Sequence, residues 1–214
     1  MTRTRSARLA GFMFLFYIAT ALPSMVLFGS ATSGATTSEK LANVAQHQGK
    51  MRAAAVLQLI TIADAILLGV ALFAITRDVD RDLAVMALAF RVVEGGINAI
   101  PTIGTLALLS APDAAIAALL LKLPVWTNSA GAFAFSIGST IFAWLFIRGR
   151  SIPAWLAWLG FIGSVILVIG LPLEMARLLA PPLNQVMWIP IALFEVILGF
   201  WLLIKGVAPS ANQE

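Results

Sequence analysis

The chain has no cysteine, one histidine and one tyrosine, and only 11% of its 214 residues are charged. Each shortage removes a class of chemistry. Without cysteine there are no disulfides, thiolate metal sites or thiol nucleophiles. The lone His47 cannot supply the paired axial imidazoles of a membrane b-type haem from this chain. It reads as a solvated residue on a loop, because a metal site needs several donors. The serines of "FSIGST" have no histidine or lysine base beside them and are assigned to helix packing. No cofactor and no metal are expected.

The scarcity of charge is itself the main signal. A soluble domain is about a quarter charged, whereas this chain is 60% hydrophobic with a mean hydropathy of +0.95. That composition belongs to an integral membrane protein. A net charge of +4 and a pI near 10.1 do not point to nucleic acid here. The basic residues cluster at the ends of apolar runs, where positive-inside topology accounts for them.

A spanning helix needs about 20 predominantly apolar residues. Six stretches qualify, at about 9–28, 52–75, 83–109, 127–147, 154–174 and 186–204. The expected fold is an all-α integral membrane protein, one domain over 1–214 built as a bundle of six transmembrane helices. The first run follows Arg3, Arg5 and Arg8 as a signal peptide would, but exceeds a signal core of about 7–15 residues and is read as a retained helix. With the N-terminus inside, the inner side holds Arg3, Arg5, Arg8, Arg77, Arg81, Arg148, Arg150 and Lys205. The outer side holds Lys40, Lys50, Arg52, Lys122 and Arg177, so the bias places both termini in the cytoplasm.

Aromatic anchors fit this arrangement. Trp126 and Trp188 fall at the outer interface, and Trp144, Trp155, Trp158 and Trp201 toward the inner one. Small residues four apart, Ala130, Ala134 and Gly138, and again Gly160 and Ser164, mark helix faces that allow close approach. In the outer loops, Thr36 and Glu39 match a capping box ahead of "SEKLANVAQHQ". Ser110, Pro112 and Asp113 open "DAAIAALLLKL", read as a segment lying at the interface. The tail after Lys205 reads as disordered. No internal repeat supports an inverted-repeat transporter.

Several polar groups fall inside the apolar runs. The second span carries Asp64, with Gln58 and Thr61 at helical spacing from it. The third carries Arg91, Glu94, Asn98, Thr102 and Thr105, in steps of three, four, four and three. Such steps trace one helix face, which must look into the bundle because lipid cannot solvate it. The sixth span carries Glu195. At a rise of about 1.5 Å per residue, Asp64, Arg91, Glu94 and Glu195 all lie roughly 12–16 Å from the inner ends of their spans.

Three carboxyls against one guanidinium would leave a net charge of −2 if all were ionised, a costly state in hydrocarbon. Either a carboxyl carries a proton or a cation completes the site. Arg91 is expected to hold a carboxylate bidentately, Asp64 or Glu195 across helices, with Glu94 also in reach on its own helix. Pro23, Pro101, Pro172 and Pro190 fall in the outer halves of their spans and could open a vestibule above this layer. Of these, Pro190 in a first turn and Pro172 near an end cost little. Glu174 and Arg177 read as an interfacial pair.

Three segments carry a family resemblance: "ARLAGFMFLFYIA", "ALAFRVVEGG" and "FEVILGFWLLIKGV". With six spans in some 200 residues, the chain resembles a bacterial multi-pass family known as domain of unknown function 4386. The resemblance implies a bacterial cytoplasmic membrane protein and brings no activity, cofactor or catalytic residue. The residues alone favour a buried polar site that binds or passes a small molecule, a cation or a proton. The first alternative is a structural or regulatory subunit held by buried ion pairs, as a homo-oligomer or with a partner membrane protein. The second is an intramembrane enzyme acting on lipid, with Asp64, Glu94 and Glu195 as acid and base.

Overall fold

A computed structural model describes residues 3–111 and 113–208. Pro112 and the tail from residue 209, both part of sequence expectations above, lie outside the described residues. The described residues form helices and no strand: α1 (Arg3–Ala31), α2 (Thr37–Gln46), α3 (Gln48–Thr76), α4 (Arg81–Leu108), α5 (Ala114–Arg148), α6 (Ala154–Met175), α7 (Leu183–Val186) and α8 (Ile189–Ile204). Six helices are long and apolar enough to cross a membrane, the last reckoned from Leu183 to Ile204. The chain is a multi-pass membrane protein. Its outward side chains are apolar and exposed, as on Ile103, Val125 and Ile204, which is how a surface solvated by lipid is built.

Each spanning helix packs chiefly against two others, closing a ring in the order α1, α3, α4, α5, α6, α8 and back to α1. No helix occupies the centre. Two apolar clusters form its core. The larger gathers Ala7, Phe14, Leu72, Ala87, Phe146, Leu167 and Leu198 with their neighbours, filling the end where α1 begins and continuing along α6 and α8 to Leu171 and Met187; the smaller gathers Ala31, Val44, Met51, Leu108 and Ala117 at the other end. On α1, α3 and α4 polar residues fall between the two clusters, whereas Glu195 on α8 is flanked by Phe194 and Leu198 of the larger one.

Glycine sets the closest approaches. A Cβ on Gly11 of α1 would lie 2.5 Å from the Leu203 nitrogen and 2.7 Å from the Gly199 oxygen of α8. One on Gly163 would lie 2.9 Å from the Ile191 nitrogen, and one on Gly160 2.5 Å from the Phe194 ring. The stripe of Ala134 and Gly138 is buried, and a Cβ on Gly138 would sit 3.2 Å from the Ala87 oxygen. That stripe serves α4 within the same chain and is not left free as a docking face.

The two chain ends meet at one end of the ring. The Arg3 guanidinium donates to the carbonyls of Ala208 (2.9 Å) and Ile75 (3.3 Å) and to Ser151 Oγ (2.9 Å). At this same end, Asp80 caps α4 by accepting from the Leu83 N–H and pairs with Arg148 at 2.9 Å. At the opposite end, α2 begins with the expected capping box, Thr36 accepting from the Glu39 N–H and Glu39 from the Thr36 N–H.

Three expectations about the periphery, on the start of α5, on Glu174 and on His47, need correction. "DAAIAALLLKL" is not a separate interfacial segment: Asp113 caps α5, which runs unbroken for 35 residues to Arg148. At about 52 Å this helix exceeds the roughly 30 Å hydrocarbon layer, and Ala117 in its first turns packs into the smaller cluster. Glu174 does not pair with Arg177. The helix ends at Met175, Arg177 takes a left-handed φ of 59°, and Glu174 accepts instead from the Asn184 amide at 3.0 Å. Trp188 and Trp201 pack against the larger cluster, whereas Trp126, Trp144, Trp155 and Trp158 are exposed. His47 is half-buried, the one-residue joint between α2 and α3, with Nδ1 3.0 Å from the Asn43 carbonyl.

Two stability predictions follow from this packing. Gly11→Ala should lower the melting temperature of the detergent-solubilised protein, since the added methyl meets backbone and overpacking costs about 1–3 kcal/mol. Gly29→Ala, with nothing within 4 Å of its Cβ position, should not; equal losses would refute the close α1–α8 approach. Hydrogen bonds from the Leu83 N–H and then from Arg148 hold the Asp80 carboxyl below its ordinary value. A depressed carboxyl stabilises the fold above its unfolded pKa of about 3.9, and that stabilisation disappears as pH falls through the lower folded value. Melting curves below about pH 4 should therefore be steeper in pH for the wild type than for Asp80→Asn.

Candidate functional site

The interior of the ring holds two adjoining cavities. The larger, of about 260 Å³, lies between α1, α3, α4 and α5. It is lined by Gln58, Thr61, Asn98, Thr102 and Thr105, so the polar faces of α3 and α4 do converge on one space. The smaller, of about 180 Å³, is bounded by α1, α4, α5 and α8 and brings Glu94 and Glu195 to a common chamber. Tyr17, Asn98 and Asn128 line both and form the boundary between them.

The hydroxyls around the larger cavity are anchored to the backbone or to one another. Thr61 Oγ1 lies 2.8 Å from Thr20 Oγ1 and 2.9 Å from the Leu57 carbonyl. Thr102 and Thr105 donate to the carbonyls of Asn98 and Pro101 one turn back, and Ser24 to Ala54 at 2.9 Å. Such bonds remove the cost of buried hydroxyls and fix which way each oxygen points. Pro101 lines this cavity as expected; Pro23, Pro172 and Pro190 do not, and the second lining proline is Pro124 of α5.

Arg91 sits in a slot made by two glycines. A Cβ on Gly69 of α3 would lie 3.0 Å from Arg91 Cβ, and one on Gly138 of α5 3.7 Å from Arg91 Cδ. The guanidinium carbon stands 5.2 Å from the centre of the Phe135 ring, a cation–π distance. Its carboxylate partner is Glu94, with Nη1 2.8 Å from Oε2 and both side chains buried. The alignment is that of an ion contact, and neither Arg91 Nε nor Glu94 Oε2 has a well-directed hydrogen bond.

This corrects the expectation of a bidentate bridge across helices. Neither Asp64 nor Glu195 comes within ion-pairing distance of Arg91. Residues three apart on a helix are neighbours, so Arg91 closes on Glu94 while glycines and Phe135 confine it from α3 and α5. Asp64 is 2% exposed with both carboxyl oxygens unpartnered, and it lines neither cavity. Glu195 is half-buried and faces the smaller one.

Among the lining residues that sequence reasoning missed are Tyr17, Ser24, Thr127, Asn128 and Trp188. Tyr17 is central, since it lines both cavities and stands between the Glu94–Glu195 chamber and the hydroxyl-lined one. The signal for it was present. Tyr17 is the sole tyrosine, and Tyr17, Thr20 and Ser24 follow the same three- and four-residue steps as the stripe on α4. Thr127 and Asn128 open the fourth apolar run, where polar residues read as an ordinary span end.

If Arg91 and Glu94 are each other's compensation, removing one should cost far more than removing both. Arg91→Met alone leaves Glu94 buried and unpaired, a loss of about 3–5 kcal/mol, and the Arg91→Met/Glu94→Met double variant should recover most of it. Chemical unfolding in mixed micelles provides the cycle. A double variant as damaged as the single would mean the pair is not the compensating unit.

No curated protein and no solved structure matches this chain. A family model described as a domain of unknown function, DUF4386, matches residues 9–206. That match takes in α1 from residue 9 onward, the other five spanning helices whole and every cavity-lining residue named above, and the chain belongs to the DUF4386 family.

Proposed function

We propose that this membrane protein binds or passes a small molecule, a cation or a proton at the polar chamber inside its ring. One observation carries the reading: Glu94 and Glu195, from helices on opposite sides of α1, face a shared cavity that adjoins a second one lined by hydroxyls and amides. Polar and ionisable groups inside a membrane are expensive and mark ligand or ion routes, and concave spaces with a few converging polar groups are the usual form of a binding site. Arg91, Glu94, Asn98 and Glu195 are the lining or supporting charged and polar groups. Asp64, buried and unpartnered, stands behind the wall and lines neither cavity.

The bias of eight basic residues against five puts the end that carries both termini in the cytoplasm of a bacterial inner membrane. The cavities then lie toward the outer half, beneath the end that α2 covers. A purely structural role is the second reading, favoured by the Arg91–Glu94 contact. It accounts less well for Asp64 and Glu195, which have no ion partner among the described residues.

Native mass spectrometry of the protein released from nanodiscs tests the choice. A discrete bound mass, or proton or cation flux in reconstituted vesicles, should appear in the wild type and disappear in Glu195→Gln, which breaks no ion pair and should retain the melting temperature. A wild type that shows neither, or a Glu195→Gln variant that keeps both, rules out the chamber as a working site.

A further inference from the structure

The smaller chamber selects among the ligands that the reading above admits, and the inference rests on that reading. Glu94 and Arg91 compensate one another at 2.8 Å, and Phe135 covers the guanidinium. Glu195 faces the same space with no lysine or arginine within ion-pairing distance among the described residues. The chamber thus holds one uncompensated carboxyl. Around it stand the aromatic side chains of Tyr17 and Trp188 and the apolar Ile191 and Ala192. Past Tyr17, Asn98 and Asn128, the second cavity offers Gln58 and threonine hydroxyls but no charged side chain.

This donor set suits one kind of cation. Calcium takes six to eight oxygen ligands and magnesium a near-octahedral shell. Among the described residues no three His, Asp or Glu side chains are grouped to hold a metal ion. An organic ammonium needs less: a single countercharge, and aromatic faces that attract a diffuse, weakly hydrated positive charge. A small anion would instead meet the Glu195 carboxylate at short range.

We infer that the chamber takes an organic monocation, its ammonium at Glu195 beside Tyr17 and Trp188 and its neutral polar end reaching past Asn98 and Asn128 into the hydroxyl-lined cavity. The ammonium comes either from a free amine or from a lipid head group; the chemistry of recognition is the same.

The test uses the full chain in nanodiscs of phosphatidylglycerol, which carries no amine. The probes are choline, the uncharged shape match 3,3-dimethylbutanol, and sodium chloride. Choline should raise the melting temperature and give a calorimetric binding isotherm, and the other two should not. Glu195→Gln should weaken choline binding by roughly tenfold or more. Trp188→Leu should weaken it severalfold, while Trp188→Phe keeps a ring and most of the affinity. The unliganded melting temperature of each variant separates lost binding from lost folding.

Equal responses to choline and dimethylbutanol overturn the assignment, as does wild-type choline affinity in Glu195→Gln. Silence toward choline overturns it too. If an occupant lost in Glu195→Gln is then still seen by native mass spectrometry, the ligand class falls and the chamber stands; if none is seen, both fall. Replacing half the lipid with phosphatidylethanolamine distinguishes the sources. Competition with choline identifies a head group and an unchanged isotherm a free amine, and either result supports ammonium recognition.

Discussion

Hydrocarbon has no water to lend, and the architecture of this protein follows from where that leaves its polar side chains. A hydroxyl, amide or carboxyl on a spanning helix has to find its partner inside the bundle. Here Thr20 and Ser24 on α1, Gln58, Thr61 and Asp64 on α3, and the stripe from Arg91 to Thr105 on α4 all turn inward. The six spans surround that material as a ring with no central helix. The core is consequently uneven: along α1, α3 and α4 a polar layer, most of its groups satisfied by one another, by backbone carbonyls or by cavity space, separates two apolar clusters, whereas along α6 and α8 the larger cluster runs past it.

Small residues make the layer possible. Gly138, which brings α5 against α4, also leaves a slot for Arg91, together with Gly69 of α3. Gly131 plays the corresponding part for Asn98: a Cβ there would stand 2.5 Å from the amide oxygen. A larger side chain at Gly69, Gly131 or Gly138 would push on a polar group at the cavity wall. Backbone packing and site geometry are therefore set by the same positions, which couples the ring's stability to the shape of its interior.

Much of this was legible in the sequence, for identifiable reasons. Runs of twenty apolar residues have one physical meaning in a chain this poor in charge, and all six spans appear as helices. The stripe on α4 was readable because helical periodicity and the exclusion of polar groups from lipid agree. The Arg91 partner was not, because distance along a helix favours Glu94 while charge balance alone is indifferent among three carboxyls. The contribution of α1 was passed over because a tyrosine, a threonine and a serine carry little weight in a hydropathy reading. The start of α5 was misjudged because an apolar segment before Pro124 looks like an interfacial helix until its neighbours are known.

The charge count that singled out this region also changes meaning once the side chains are placed. Counted along the sequence, three carboxyls share one guanidinium. In the folded chain they occupy three different situations: Glu94 compensated by Arg91, Glu195 open to the cavity, Asp64 enclosed without a partner. A cation entering the cavity can answer Glu195 and compete for Glu94, but it cannot touch Asp64. Asp64 lies in neither cavity and beyond ion-pairing distance of Arg91, so whatever compensates it has to come from within the wall and not from an occupant of the chamber. The charge balance of the interior is therefore two separate problems, an accessible one at Glu195 and an enclosed one at Asp64.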